Sequence, residues 1–339
     1  MISRTNAGGG LGKSTLVVQT ESGSVVTVSK GTETRNAVGG YGVWAFPGLS
    51  AGEWTVKAVK DGMTATKTVA MDGTNSVAVR LVYSKIPAFT YSGDYEIVDD
   101  ADTPITTSDG NWKIRFLTSG VFTPTDLRGA ADGIDVFLVG GGSGGKNNKD
   151  DYSTGVGGGG GKTRTVRNFQ IAANTAYSIT IGAGGSPNKN GGQTIAFGST
   201  VDGGAGKHGG SGGGCIGHAG YSDGGGYDDS EYDGGDPEGA LYPGTGQGTT
   251  TREFGDIGGT LYSAGGGAGD YWNADEETNS ESVKPGDDSA GTGALSETIA
   301  ATAGKANRGG GGGGGSNKIA NAAPGGSGIV IIRNARGVA

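Results

Sequence analysis

The glycines of this chain are unevenly distributed, and their distribution limits what the chain can fold into. Of 76 glycines in 339 residues, 18 precede residue 140 and 58 lie from residue 140 onward. Many of them form tracts, at residues 140–142, 157–161, 212–214, 224–226, 265–267 and 309–315. Glycine has no side chain to bury and loses the most backbone entropy on folding, so such tracts need an ordering partner.

Composition separates the first 139 residues from the rest. Hydrophobic residues make up 33% of the chain, against about 45–50% in a typical globular domain with glycine included. The first part can therefore build ordinary cores, whereas the glycine-rich part cannot do so with side chains alone. The net charge of −8 argues against a nucleic-acid partner, because phosphate binding requires a basic surface. Cys215 is the only cysteine, which excludes an internal disulfide.

The chain carries no recognisable targeting segment. Residues 1–12 lack the apolar stretch of a signal peptide, and no segment approaches the roughly 20 apolar residues of a membrane span. We therefore expect synthesis in the cytoplasm, without a signal peptide and without a membrane partner.

Residues 14–83 show the alternating pattern of short β-strands. The predicted strands are 15–20, 24–29, 42–46, 53–59, 64–71 and 76–83. Asp-Gly turns at 61–62 and 72–73 separate them, as in a small β-sandwich. The predicted domains are therefore a glycine-containing segment 1–13, the sandwich 14–83, a linker 84–88 and a glycine-rich domain 89–339.

The glycine-rich domain also contains strand-like segments. The predicted strands are 112–117, 134–139, 176–181, 194–197 and 329–333, so that β segments within 89–139 and at 329–333 frame the tracts and loops. Residues 295–303 are the best helix candidate, with weak 3.6-residue periodicity. Trp44, Trp54 and Trp112 fall in strands and are predicted to be core residues.

Three patterns resemble catalytic or nucleotide-binding motifs but lack the required context. Residues 7–14 approximate a P-loop, yet an alternating strand follows them instead of a helix. A G-x-G-x-x-G begins at Gly140, but the polar run 146–151 replaces the apolar helix of a dinucleotide site. Ser143 and Ser211 each lie in a G-x-S-x-G without the following helix of a nucleophile elbow. We predict no catalytic set and no cofactor.

Metal binding also lacks a recognisable motif. His208, Cys215 and His218, with Asp223, offer soft ligands, but their spacing matches no established zinc site. The acidic loop 223–238 lacks the EF-hand spacing, although calcium binding there remains an alternative. We predict no metal site.

The tracts predict an unusual core. Polyglycine can form a left-handed helix with three residues per turn and no internal hydrogen bonds, so its amides and carbonyls point sideways. Without Cβ atoms, neighbouring helices approach closely and satisfy one another through N–H···O and weaker Cα–H···O contacts. The predicted fold class is all-β plus polyglycine II: an N-terminal β-sandwich followed by a β-rich domain of packed polyglycine II helices.

Several segments resemble glycine-rich tail proteins of phages and prophages of gut Firmicutes. The resemblance is carried by residues 89–95, 111–120, 134–142, 191–198, 246–255 and 326–333, and by the opening 2–6. Residues 46–49 and 52–56 resemble PEGA-like or carboxypeptidase-regulatory-like modules of surface and virion proteins. By its construction, the chain is also similar to the polyglycine-sandwich adhesins at tail-fibre tips of T-even-like phages. That similarity implies receptor binding by loops at the end of a glycine-helix stack.

Acidic and aromatic residues concentrate in the long loops. Loop 223–238 carries seven acids and no Lys or Arg, and loop 270–288 carries seven acids against Lys284. Aromatic faces beside carboxylates suit a sugar or a protein epitope. The candidate receptor-binding residues are Tyr152, Tyr221, Tyr227, Asp228, Asp229, Tyr232, Tyr242, Tyr271 and Trp272.

These observations predict a non-enzymatic phage or prophage tail protein that binds a host receptor. Its expected partners are a bacterial cell-surface receptor, carbohydrate or protein, and other tail proteins contacted through the N-terminal domain. Its expected location is the virion. Three alternatives remain: a purely structural tail spacer, a cell-wall polysaccharide depolymerase or hydrolase, and a chain whose tracts are disordered linkers.

Overall fold

A computed structural model describes most of the chain in two compact units. The described residues are 14–61, 63–147, 155–206, 209–210, 213, 251–269, 285–295, 299–316 and 321–336. The first unit runs to Lys85 and includes Thr107–Gly110; the second consists of Ile86–Thr106 and the chain from Asn111 onward.

The first unit is built from two four-stranded sheets. Its strands are β1 Ser14–Gln19, β2 Val25–Lys30, β3 Glu33–Asn36, β4 Val38–Gly40, β5 Val43–Leu49, β6 Gly52–Lys60, β7 Met63–Met71 and β8 Val77–Arg80. One sheet has the order β4-β5-β1-β8 and the other β3-β2-β6-β7. Within the first sheet β1 pairs antiparallel with β5 and parallel with β8.

Alternation explains why these residues form a sandwich. Along β6, Trp54, Val56 and Ala58 are buried, while the intervening Glu53 and Thr55 are exposed. Inward residues of both sheets join one hydrophobic cluster, since the cluster contains Leu16 from one sheet and Val26 from the other, together with Trp54. The two sheets therefore share a single core, as the alternating pattern predicted.

Two edge strands of this unit escaped the sequence analysis. β3 reads Glu-Thr-Arg-Asn and is largely exposed, and β4 contains two glycines. Both lie at sheet edges, where burial does not impose alternation. Their sequences therefore carry no periodic signal.

The second unit is also all-β. Its strands are β9 Phe89–Tyr91, β10 Tyr95–Val98, β11 Lys113–Phe116, β12 Gly120–Pro124, β13 Ile134–Val139, β14 Thr163–Phe169, β15 Tyr177–Ile179, β16 Thr194–Ala196, β17 Ser199–Val201 and β18 Ile329–Asn334. They form a five-stranded sheet β10-β11-β18-β13-β14, a three-stranded sheet β15-β12-β9 and the hairpin β16–β17. The prediction of an all-β fold is confirmed.

The centre of the five-stranded sheet is buried on both faces. β13 is buried along its whole length, and its residues alternate between two clusters. Ile134, Val136 and Leu138 join the larger cluster, which also contains Trp112. Phe137 and Val139 join a smaller one on the other face. The three tryptophans predicted to be core residues are all buried.

The weak helix candidate 295–303 is not helical at the residues that the structure describes. Leu295 and Ile299 instead form an isolated antiparallel bridge, with N···O distances of 2.9 and 3.1 Å. The amides of this region bond to distant segments; Thr302, for example, donates to Thr292 at 2.9 Å. Tertiary hydrogen bonds therefore override a weak helical periodicity. Among the described residues, the one helical element is the 3₁₀ turn Glu253–Gly255.

We predict that Trp54→Ala destabilises the first unit by about 3–5 kcal/mol, because it removes a fully buried aromatic side chain and leaves a cavity. Equilibrium urea unfolding followed by tryptophan fluorescence and circular dichroism measures the change. The exposed Lys57→Ala on the same strand is the control, with an expected change within about 0.5 kcal/mol. Equal stability of the two variants would contradict the packing described here.

Candidate functional site

The backbone hydrogen bonds of segment 140–146 repeat every three residues. Each amide donates to a neighbouring segment, and every third amide donates to the same one. The N···O distances lie between 2.8 and 3.0 Å for the pairs Gly140–Lys162, Ser143–Gly159, Lys146–Val156, Gly141–Gly192, Gly144–Lys189, Gly142–Gly326 and Gly145–Ala323. The segment therefore has three hydrogen-bonded neighbours through its amides alone.

Segment 309–315 lies at the centre of six such neighbours. The amides of residues 311–315 donate to segments containing residues 143–146, 264–267 and 302. The carbonyls of residues 309–315 accept from segments containing residues 155–161, 323–326 and 291–294, and the Gly309 amide donates to Ser327 next to the second of these. The repeat is again three; the carbonyls of Gly309, Gly312 and Gly315 accept from Gly161, Gly158 and Gly155, each at 2.8 Å. Hydrogen bonds among described segments thus order these glycines.

Side chains are excluded from this packing by sterics. A Cβ atom added to Gly142, Gly158, Gly311 or Gly313 would lie closer than 3.0 Å to a carbonyl oxygen of a neighbouring segment, a distance that real Cβ atoms essentially never show. Backbone atoms thus occupy the space that side chains fill in an ordinary core.

We predict that Gly311→Ala destabilises the second unit by about 1–3 kcal/mol or more, because the added methyl group overlaps the Gly158 carbonyl. Thermal unfolding measures the effect. Gly110→Ala, in the first unit, is the control for an added methyl group without a clash, since a Cβ there meets nothing within 4 Å, and we expect a change within about 0.5 kcal/mol. An unchanged melting temperature for Gly311→Ala would refute a core of close-packed backbones.

The two ends of the stack differ. At one end, segments 140–146, 155–162 and 321–328 continue directly into or out of β13, β14 and β18. At the opposite end, Gly269 donates to Gly155 at 2.8 Å, Gly155 to Gly315 at 2.8 Å, and Gly315 to Lys146 at 3.2 Å. We call this second end, defined by Lys146, Gly155, Gly269 and Gly315, the distal end.

The sequence-predicted receptor-binding residues lie outside the described residues. These are Tyr152, Tyr221, Tyr227, Asp228, Asp229, Tyr232, Tyr242, Tyr271 and Trp272. The structure does describe the chain on both sides of residue 152 and just before residue 271, and those flanks are distal-end residues. The possible metal ligands His208, Cys215, His218 and Asp223 also fall outside the described residues.

Ser143 is not placed as a nucleophile. Its side chain is fully buried, and its hydroxyl donates to the Gly206 carbonyl and, at 3.3 Å, to the Gly159 carbonyl. The G-x-S-x-G pattern here is part of the glycine packing. Ser211, the other candidate, lies outside the described residues.

A partly buried ion-pair network fastens the turn 251–262 to the five-stranded sheet. Lys113 on β11 pairs with Glu253 at 2.8 Å, and these side chains are 8% and 4% exposed. Lys113 also pairs with Asp102. Arg115 pairs with Asp102 at 2.5 Å and with Glu96 at 3.2 Å. The network links the turn to residues 96–115, which are far from it in sequence, and the sequence analysis missed it.

The same turn holds Phe254 in a strained conformation. Its φ of 56° lies in the left-handed region, which bulky residues rarely adopt. The Arg333 guanidinium lies 4.1 Å from the centre of the Phe254 ring, and Arg167 donates to the Phe254 carbonyl. Both arginines also pair with Asp135, at 3.1 and 2.7 Å, and with Asp256. These contacts compensate for the backbone strain.

The charged residues around this turn line a cleft of about 230 Å³. Among them are Lys113, Arg333 and Arg336, each of which pairs with a carboxylate. Within the cleft, each of these positive charges is therefore compensated by a carboxylate. Its structural consequence is that the turn, and with it the start of segment 263–269, is fixed against β11 and β18.

We predict that the second unit loses stability as the pH falls below about 4. Burial opposes ionisation of Asp102 and Asp256, but hydrogen bonds and charges from Arg115 and Arg333 lower the pKa of these carboxyls below 3.8. Their contribution is present above the unfolded pKa of about 3.9 and disappears as the pH falls through the lower folded pKa.

The measurement is the melting temperature of the second unit between about pH 6 and pH 2. Asp256→Asn should lower stability at neutral pH and flatten the profile, whereas the exposed Asp132→Asn should leave the profile unchanged. A wild-type profile that is flat through this range would disprove the contribution of the ion pairs.

The chain is a β-rich, glycine-rich protein, and the family model of the glycine-rich domain matches residues 117–335, more than half of its length. The chain therefore belongs to the glycine-rich domain family. No curated protein matches it.

One solved structure similar to the chain is described as a "putative pore-forming toxin" from Bacteroides vulgatus ATCC 8482. It is 11% identical, with 50% of this chain and 76% of that chain covered and a TM-score of 0.15. A likeness this low carries no argument about function.

Two further properties hold for the described part of the chain. It contains no helix with the length and apolarity that a membrane span requires. It also contains no cluster of three or more His, Cys, Asp or Glu residues arranged to hold a metal ion.

Proposed function

We propose that the chain is a non-enzymatic phage or prophage tail protein that displays receptor-binding segments from the distal end of a glycine core. The observation that carries the proposal is the ladder Lys146–Gly315–Gly155–Gly269. Through it, the positions at which the chain departs toward Tyr152 and toward Tyr271 and Trp272 are neighbours. Segments that carry recognition residues and are distant in sequence would thus leave the core at neighbouring positions.

We also propose that the tracts are polyglycine II helices. A helix with three residues per turn presents every third amide in the same direction, and this matches the three-residue repeat of segments 140–146 and 309–315. Six neighbours around segment 309–315 is the number that close packing of parallel rods gives. The steric exclusion of Cβ atoms explains why the tracts are glycine.

A core made of backbone is suited to presenting receptor-binding segments, because its shape does not depend on the residues that bind the receptor. Hydrogen bonds between main chains hold the distal end together, so the side chains of the departing segments are free to vary. An enzymatic reading finds no support in Ser143, whose hydroxyl is buried and engaged. In this proposal the first unit, a PEGA-like sandwich, attaches the chain to other tail proteins in the virion.

The proposal is tested with the fluorescently labelled full chain and a panel of gut Firmicutes cells. We expect strain-selective binding, and we expect the Tyr271→Ala, Trp272→Ala double variant to lose about tenfold or more of it, since such aromatics dominate recognition hot spots. Tyr41→Ala is the control, because Tyr41 is fully exposed on the first unit.

Binding to no strain by well-folded protein would overturn the receptor-binding proposal and favour the alternative, a structural tail spacer. The dense backbone packing of segment 309–315 is the observation that favours this second candidate. Equal loss in the double variant and in Tyr41→Ala would show that binding is not located at the distal end.

A further inference from the structure

A groove of about 320 Å³ lies between the glycine segments 159–162, 190–193 and 202–206. Its polar lining consists of Lys162, Asn190, Gln193 and Asp202, and glycine backbone, including Gly191, completes the wall. The volume falls at the lower end of the range of small-molecule sites, which is about 300–1,000 Å³.

Backbone hydrogen bonds fix the walls of this groove. Lys162 donates its amide to the Asp202 carbonyl at 2.9 Å, and Gly191 donates to Gly204 at 2.9 Å. The segment 202–206 therefore lies between the segment that carries Lys162 and the segment that carries Asn190. These bonds join main chains, so we expect them to persist when the polar side chains of the groove are changed.

The polar side chains are partly preorganised by one another. Gln193 Nε2 donates to Asp202 Oδ1 at 2.7 Å, and Asn190 Oδ1 accepts from the Gly206 amide at 3.1 Å. These bonds leave Asp202 Oδ2 and Gln193 Oε1 as acceptors, and Asn190 Nδ2 as a donor. Among the described residues, the Lys162 ammonium has no ion-pair or hydrogen-bond partner, so it is a further donor.

We infer that this groove binds a saccharide. The groove offers both donors and acceptors, and a sugar hydroxyl donates and accepts at once, so hydroxyls can satisfy both kinds of group. One cation and one carboxylate give little net charge, which suits a hydroxyl-rich ligand better than a highly charged one. Glycine backbone on the wall lets a sugar ring approach closely. The charged cleft at 251–262 differs, because it is smaller and its cations are paired.

This inference deepens the proposed function, on which it rests: the saccharide would belong to the same cell surface that the distal end contacts. A site in this groove would give the chain a second, independent contact with that surface. Two linked contacts raise the overall avidity without any change at the distal end.

The probe is an array of bacterial cell-surface oligosaccharides, incubated with the labelled full chain. We expect binding to a subset of saccharides, and we expect Lys162→Ala and Asp202→Ala each to reduce it about tenfold, the effect of losing a hydrogen bond to a charged group. Lys57→Ala and Asp132→Ala are matched controls outside the groove and should bind as the wild type does. Thermal unfolding verifies that all four variants fold.

The outcomes separate the two proposals. Saccharide binding lost only in the groove variants supports the inference, whatever the cell panel shows. The inference is overturned if the chain binds no saccharide or if the groove variants bind saccharides as the wild type does. It is also overturned if the chain binds a peptide probe instead of saccharides. Cell binding that survives the groove variants but not the distal-end variant leaves the proposed function standing without this site.

Discussion

The close approach of main chains is the constraint on which the second unit depends. Segment 309–315 is surrounded by six others at hydrogen-bonding distance, and a single added methyl group at Gly311 or Gly313 would overlap a neighbouring carbonyl. In ordinary domains side chains provide the close packing and the backbone provides most of the hydrogen bonds. In this core the backbone provides both. Glycine content is therefore a structural requirement of this core.

Next to the five-stranded sheet, the core is again made of side chains. β13 and β18 supply a conventional apolar centre, and Lys113, Glu253 and Asp102 fasten the turn 251–262 beside it. Buried ion pairs add little net stability when desolvation is counted, but removing one partner is costly. Their value here is positional, because they fix where segment 263–269 enters the stack.

The elements that could be predicted from the sequence are those with a periodic or compositional signal. β6 and β13 were recognisable from their apolar residues, and the tracts from composition alone. β3, β4 and β14 were missed because exposed or edge strands need not alternate. The ion pairs of Lys113 and Arg333 join residues far apart in the chain, which no local pattern records. Glycine likewise carries no information on which tract neighbours which.

The three-residue repeat restricts how such a chain can diverge. Because every third amide of segment 140–146 donates to the same neighbour, inserting one residue would direct every later amide at a different neighbour. Inserting three residues would restore the pairing and only lengthen the segment. Length changes within the hydrogen-bonded tracts should therefore be confined to multiples of three residues.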